Sequence, residues 1–452
     1  MKKGILFIIL TLCAPLYILS INVNGGEVKY AFLMIGDGMG VNQRKAAEIC
    51  RKASADDKEK KLIMESFPSS ALTKTDSLSG VTDSAAAGTA LACGEKTKNG
   101  MLGILPDGKK LESLAEKAKK TGMKTGIITD TPINHATPAA FYAHADARSN
   151  YSEITSFMAP SGFDLFIGDN FLLSKGAGVP DASLTEKGYT VIKNIADFQK
   201  LKKGASKIIF LQNIPYAIDE HGKRKITLSE CLSKSIELLN SPDGFFIMLE
   251  GGKIDWACHA NDIAAAVKET FEFDDAVRTA YEFYLKHKDE TLIVVTADHE
   301  TGGLSLTPDA KLSETVLLQK SSRADFIKYL NTCKKNKTSF DEALMKIKDT
   351  FGLTDIKSPD IERIRQAYNY FIGSSSKDAR PAEIKKMYGE KNPVVHVCSE
   401  IIDEKAGVKW STSKHTGTKV KTTAIGKGAE NFSGEMDNTE ISARMAKVLG
   451  LK

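Results

Sequence analysis

Carboxylates, imidazoles and hydroxyls gather where apolar runs of this chain end. Tyr-Ala-Phe-Leu-Met-Ile, closing at Ile35, leads into Gly36-Asp37-Gly38. Phe-Phe-Ile-Met-Leu, closing at Leu249, leads into Glu250-Gly251-Gly252, with Asp255 and His259 just beyond. Thr-Leu-Ile-Val-Val-Thr, closing at Thr296, leads into Ala297-Asp298-His299-Glu300. Acids and histidines brought together from such distant positions repel one another and resist desolvation unless cations compensate them. Aspartate with histidine is a ligand set that suits zinc. Asp255 and His259 are four residues apart, so one helical turn turns both toward one ion. Asp298 and His299 are adjacent and can both reach a second ion. Any one of these acids could equally cap a helix or pair with lysine. Four such acids with two histidines fit that plainer account poorly.

A second pattern is Val81-Thr-Asp-Ser-Ala-Ala-Ala-Gly-Thr-Ala90, in which a hydroxyl residue opens a run of helix formers. Ser84 is expected at a helix N-terminus, where free N–H groups and the helix dipole favour an anion. A serine there is commonly only a cap. A serine nucleophile needs activation, which a metal ion can supply. Gly36-Asp-Gly-Met-Gly40 has the spacing Gly-x-Gly-x-Gly, not Gly-x-Gly-x-x-Gly, so it is a weak nucleotide signal.

The elements that must position these residues follow from the hydrophobic pattern. Strands are expected at Tyr30–Ile35, Lys124–Thr129, Asp164–Ile167, Lys207–Leu211, Phe245–Leu249 and Thr291–Thr296. They lack strict alternation, as strands buried on both faces of a mainly parallel sheet do. Helical patterns lie between them, at Lys110–Thr121, Leu228–Asn240, Asp262–Lys286 and after Asn438. The expected fold is α/β, with a central mainly parallel sheet covered by helices on both faces. In such a sheet the carboxyl ends of the strands line one crevice, where ligands bind. From Thr307 to Lys409 charged amphipathic helices take over, such as Arg323–Lys334 and Ser339–Thr350, before the apolar Val394–Val397. We read residues 27–306 as the first part of the α/β domain, 307–409 as a mainly helical insertion, and 410–452 as the C-terminal part. Residues 151–230 hold a smaller elaboration.

Composition excludes several classes. Of 452 residues, 42% are hydrophobic and 26% charged, so the chain is neither mainly disordered nor a multi-span membrane protein. The net charge of +5 is too small and too dispersed to argue for nucleic acid. The clusters Lys202–Lys207 and Lys223–Lys225 read as solvated loop charge. Residues 1–26, with Lys2 and Lys3 before an apolar run from Ile5 to Ile21, read as a secretory signal. The protein is therefore expected to be exported, periplasmic or secreted; an uncleaved N-terminal anchor is the rival reading. Six cysteines follow Cys13, and bridged or free thiols both remain open.

Taken together the motifs resemble the alkaline phosphatase family. The resemblance rests on Ile35-Gly-Asp-Gly-Met-Gly40, the Ser84 motif and Thr296-Ala-Asp-His-Glu-Thr-Gly-Gly303. It also rests on His135-Ala-Thr-Pro-Ala-Ala140, Glu250-Gly-Gly-Lys-Ile-Asp255 with His259, and His415-Thr-Gly417. These occur in the family's order and span nearly the whole mature chain. The resemblance implies hydrolysis of small phosphomonoesters to an alcohol and inorganic phosphate through phosphoserine, in a homodimer. It implies that Ser84 is the nucleophile and that Arg148 clamps the phosphoryl oxygens. It further implies that Asp255, His259 and His415 bind one zinc, and Asp37, Asp298 and His299 a second. Thr137 and Glu250, with Asp37 bridging, hold a third metal, usually magnesium. His135 and Trp256 stand near the substrate phosphate, where some members have aspartate and lysine.

The rival enzyme is a phosphodiesterase or sulfatase on the same bimetal core. Sulfatases of this superfamily usually place a modified Cys or Ser in a different motif, whereas Ser84 lies in the phosphatase one. A non-catalytic phosphate- or metal-binding protein would lack a nucleophile or ligand, and none is missing here. Among the remaining candidates, His144 reads as structural, and His221, His287 and His396 as surface or loop residues. Cys258, beside His259, reads as a packed thiol.

Overall fold

The computed structural model describes residues 28–54, 60–219, 224–373 and 392–452. The expected signal at 1–26, His221 and Lys223 lie outside the described residues.

Fourteen strands are described: β1 (Tyr30–Gly36), β2 (Ser69–Lys74), β3 (Lys124–Thr129), β4 (Leu165–Gly168), β5 (Thr190–Ile192), β6 (Ile208–Leu211), β7 (Phe245–Gly251), β8 (Thr291–Thr296), β9 (Glu300–Thr301), β10 (Leu304–Leu306), β11 (Val408–Trp410), β12 (His415–Thr416), β13 (Val420–Gly426) and β14 (Gly434–Asp437). Ten of them make one sheet in the order β14-β2-β13-β8-β1-β7-β3-β4-β6-β5. Every pairing in it is parallel except those of β13 with β2 and β8.

Burial on both faces explains the unbroken apolar runs. Along β1, Tyr30, Phe32 and Met34 enter one apolar layer, while Ala31, Leu33 and Ile35 enter the other. The first layer is roofed by helices Val41–Ala53, Leu228–Leu239 and Ile263–Lys286, the second by Ser84–Cys93, Leu114–Lys120 and Asn438–Val448. The expected α/β architecture is therefore what the chain adopts. Four strands of this sheet, β2, β5, β13 and β14, lie outside those expected, and two of them show why. In β2 exposed and buried residues alternate, so it has no apolar run. In β13 the buried positions include Thr422 and Thr423. Thr422 Oγ1 lies 2.6 Å from Thr73 Oγ1 and 2.8 Å from Thr296 Oγ1, so hydroxyl contacts stand in for apolar packing there.

β10 and β11 pair antiparallel, and between them the described residues form helices, of which Arg323–Asn336, Phe340–Phe351, Ser358–Ile372 and Pro393–Ala406 are the longest. Val394–Val397 belongs to the last of these. This segment shares the first apolar layer. Among the described residues no helix is long and apolar enough to cross a membrane. The six described cysteines are free thiols, which settles the choice left open for them.

Candidate active site

The sheet's central strands aim the candidate residues at one place. β1 lies between β8 and β7, with β3 beyond β7, and the four are parallel. Ile35 stands opposite Glu250 on one side and Thr296 on the other, and Thr129 stands opposite Glu250. Asp37, Glu250, Asp298 and the segment carrying His135 and Thr137 therefore leave the sheet at one level. Gly38 lets this crowding happen. Its φ is +70°, and a Cβ there would lie 2.8 Å from Asp255 Cα and 2.9 Å from Thr301 Oγ1.

Asp255, His259 and His415 form a first group, with ligand-capable atoms within 4.8 Å of one another. The short helix Lys253–His259 sets Asp255 Oδ2 3.3 Å from His259 Nε2. His415 is far away in sequence, and the pairing of β12 with β9 returns it, opposite Thr301. Its Nε2 lies 3.1 Å from His259 Nε2. The other ring nitrogens fix the tautomers. His259 Nδ1 is 2.7 Å from the Ser413 carbonyl and His415 Nδ1 is 2.9 Å from the Thr82 carbonyl. A carbonyl only accepts, so each Nδ1 carries a hydrogen and each ring turns its Nε2 toward the other ring, the atom it would offer a metal ion. Burial opposes it, but the His259 hydrogen bond and the nearby imidazoles hold the Asp255 carboxyl below the usual carboxylate range.

Asp37, Asp298 and His299 form a second, fully buried group. His299 Nε2 lies 3.1 Å from Asp298 Oδ2 and 3.5 Å from Asp37 Oδ1. Burial, together with repulsion from neighbouring carboxylates, pushes Asp37 and Asp298 well above the ordinary aspartate value. Burial likewise drives His299 well below the ordinary imidazole value. Ser84 is the first residue of its helix, as expected, but the cap is Asp83, whose side chain accepts the Ala86 N–H at 3.0 Å. The Ser84 hydroxyl is thus spared capping and lies 3.3 Å from His299 Nε2.

Asp37, His135 and Glu250 form a third group. Thr137 Oγ1 is 3.4 Å from Asp37 Oδ2, and Glu250 Oε2 accepts the hydroxyls of Thr129 and of Thr131, the latter at 3.2 Å. Burial raises the Glu250 carboxyl to about 7. His135 Nε2 accepts from Arg148 Nη2 at 3.2 Å, while its Nδ1 is buried without a hydrogen-bond partner. Burial and the Arg148 charge push the His135 imidazole down to about 3, so it is neutral in any ordinary buffer. Arg148 Nη1 also meets Asp83 Oδ2 at 3.2 Å, which ties the guanidinium to the start of the Ser84 helix. The Trp256 ring stands edge-on to His135 at 6.0 Å between centroids.

The chain thus brings all the candidate residues together, and adds some that motif reading passed over. Asp83 joins the Ser84 helix to Arg148. Asp130 Oδ1 accepts the N–H groups of Gly252 and Lys253 at 2.7 and 3.3 Å, holding the start of the helix that carries Asp255 and His259. Thr301 and Glu300 lie inside a quoted motif, yet only contacts reveal their part. Glu300 accepts from Gln43, Gly303, Leu304 and Thr416, pinning the loop after β8. His144 bonds Gly103 and Glu116 away from the groups.

A family model described as alkaline phosphatase matches residues 28–165 and 179–451. Alkaline phosphatase 4 of Bacillus subtilis is 30% identical over 438 residues, covering 94% of this chain and 89% of that protein. The alkaline phosphatase of Schizosaccharomyces pombe is 28% identical over 449 residues, covering 92% and 80%. The cold-active alkaline phosphatase of the psychrophile Shewanella sp. superposes with a TM-score of 0.79 at 29% identity, covering 93% of this chain and 99% of that one. The Thermus thermophilus enzyme, at 24% identity, shares the fold with a TM-score of 0.78, over 95% and 92% of the two chains. Agreement of motif order, site and fold over almost all of the described chain has one meaning: the protein belongs to the alkaline phosphatase family, metal-binding hydrolases of phosphate monoesters.

Proposed function

We propose that this phosphatase works through a phosphoserine formed on Ser84, with zinc at the two histidine-rich groups and magnesium at the third. The observation that carries the reading is the meeting of the Ser84 hydroxyl with buried acceptors that no protein donor satisfies. Asp37 Oδ1, Asp298 Oδ2 and Glu250 Oε1 have no hydrogen-bond partner. Buried polar atoms are almost always paired, so three unmet acceptors in the two groups that share Asp37 fit cations. Asp255, His259 and His415 would hold one zinc, and Asp37, Asp298 and His299 the other. Asp37, Thr137 and Glu250 offer the hard oxygens that suit magnesium. Metal ions held there would neutralise the crowded carboxylates and would make a bound hydroxyl or water acidic near neutral pH.

The chain's own groups then divide the work. Arg148, oriented by Asp83 and His135, presents a planar, permanently charged fork to two phosphoryl oxygens. Ser84 Oγ attacks phosphorus; its bond to phosphorus forms as the ester P–O bond breaks, and the alcohol leaves with a proton. A water then attacks the phosphoserine, the Ser84 Oγ–P bond breaks, and inorganic phosphate departs with the serine hydroxyl restored. The helix N-terminus at Ser84 adds partial positive charge beside the phosphoryl group. The substrates are small phosphomonoesters. Export, supported by the charged and apolar stretch at 1–26, and a homodimer complete the reading.

The test is a colorimetric phosphomonoester assay with and without a chelator, paired with Ser84→Ala. Chelation is expected to abolish turnover and zinc with magnesium to restore it. The alanine variant is expected to keep its metals and lose the acid-trapped phosphoenzyme, with slow residual hydrolysis. A labelled phosphoenzyme trapped from the alanine variant would refute the assignment.

A further inference from the structure

Thr301 stands where the two histidine-rich groups meet. It is fully buried, as is His299. Its hydroxyl lies 2.5 Å from Asp255 Oδ1, a member of the first group, and 3.2 Å from His299 Nδ1, a member of the second. Its backbone pairs in register with His415 and donates to the Gly38 carbonyl at 3.3 Å. The hydroxyl has one hydrogen to give. An ionised carboxylate can only accept, so that hydrogen goes to Asp255. Toward His299 the oxygen can then only accept, which places the ring hydrogen on Nδ1. The Nε2 lone pair is left facing Asp37, Asp298 and Ser84, 3.5, 3.1 and 3.3 Å away.

We infer that Thr301 is a positioning residue that couples the two groups, holding Asp255 in place for one ion while setting the His299 tautomer that the other ion needs. The inference rests on the metal-dependent reading above. A hydroxyl shared between ligands of two sites makes occupation of each favour the other. An ion on Asp255 and the two histidines keeps that carboxylate an acceptor, which keeps the Thr301 hydrogen turned away from His299. Without the hydroxyl, His299 Nδ1 has no acceptor, and a buried N–H would gain by moving to Nε2, where Asp298 and Asp37 wait. The chain's shape leaves no room for a substitute: a Cβ on Gly38 would already touch Thr301 Oγ1.

The experiment uses full-length protein stripped by chelator and titrated with zinc against a chromophoric competitor, with bound zinc counted by elemental analysis. Wild type and Thr301→Ser, which keeps the hydroxyl, are expected to take up the two histidine-site ions steeply together. Thr301→Val, which keeps the shape and loses the hydroxyl, is expected to bind at least one of them about 10–100-fold more weakly and in separate steps. A packing role alone predicts the reverse order, with valine better than serine, and that order overturns the proposal. So does a valine variant with wild-type affinity and steepness. Should the valine variant fail to fold, nitrogen-15 NMR of zinc-loaded wild type decides. Protonated Nδ1 with zinc on Nε2 of His299 supports the role, and zinc on Nδ1 overturns it. A wild type that takes up no zinc at all overturns the metal reading itself, a separate and recognisable failure.

Discussion

Replacing His135 by aspartate changes the third group in a way the structure makes calculable. The imidazole there is neutral and accepts from Arg148 through Nε2, which leaves its hydrogen on a buried, unpartnered Nδ1. A neutral imidazole beside Asp37 and Glu250 adds no charge to hold magnesium, and once its hydrogen moves to Nε2 and the Arg148 contact is released, its nitrogen favours zinc. Aspartate adds a negative charge within the 4.8 Å that spans the group. At such separations a pair of unit charges interacts by about 4 kcal/mol at an effective dielectric of about 20. In the stripped protein the added carboxyl crowds Asp37 and Glu250, which burial already raises above the ordinary carboxylate range, and in the loaded protein its charge attracts the divalent ion. Desolvation of the new charge offsets part of this, so we expect at least a gain of about tenfold in magnesium affinity, or about 1.4 kcal/mol. The stripped variant should melt below stripped wild type. Wild type should need added magnesium for full activity, and excess zinc should inhibit it in a manner that magnesium relieves. The assay measures magnesium retained through dialysis, then titrates zinc at several magnesium concentrations for both proteins. Equal magnesium retention by the two, or zinc inhibition of wild type that magnesium leaves unchanged, would refute the reasoning.

Arg148→Ala should weaken inhibition by inorganic phosphate and lower kcat/KM by about 10–100-fold, since hydrogen bonds to charged groups contribute about 1.5–3 kcal/mol; steady-state inhibition measures it, and unchanged phosphate inhibition would place Arg148 outside the site. Gly38→Ala puts a Cβ at φ +70° against Asp255 and Thr301, so elemental analysis of the purified variant should find zinc depleted, beyond the strain of about 1–2 kcal/mol that a left-handed alanine brings. Asp164 tests stability away from the site. Burial opposes its ionisation, yet Lys119, Lys124, the Thr125 N–H and Ser206, at 2.6, 2.9, 3.0 and 2.8 Å, hold its carboxyl below the ordinary value. A lowered carboxylate stabilises above the unfolded value of about 3.9 and loses that contribution as pH falls through the folded one. Asp164→Asn should therefore cost about 1–3 kcal/mol at pH 7, and chemical denaturation should find the gap closing below about pH 4.

Strands β1, β3, β7 and β8 were legible in sequence because burial on both faces forces an unbroken apolar run, a property that needs no knowledge of neighbours. The acids that follow them were legible for the same reason, since a charge after such a run must leave the sheet at its carboxyl end. Helices such as Ile263–Lys286 announced themselves by period and by an N-cap, here Asp262 bonding Ala265 N. Other features belong to the tertiary structure alone. β2 and β13 satisfy their burial through each other, by alternation and by threonine hydroxyl pairs, which a single strand's composition does not reveal. Ser84 escapes the capping role because Asp83 takes it, and the difference lies in a backbone angle. His415 joins Asp255 only when β12 pairs with β9, after the helical segment has intervened. Composition named the donors. Which nitrogen of each imidazole holds its hydrogen, and so which lone pair faces the centre, depends on carbonyls and a hydroxyl contributed by other segments, Thr82, Ser413 and Thr301.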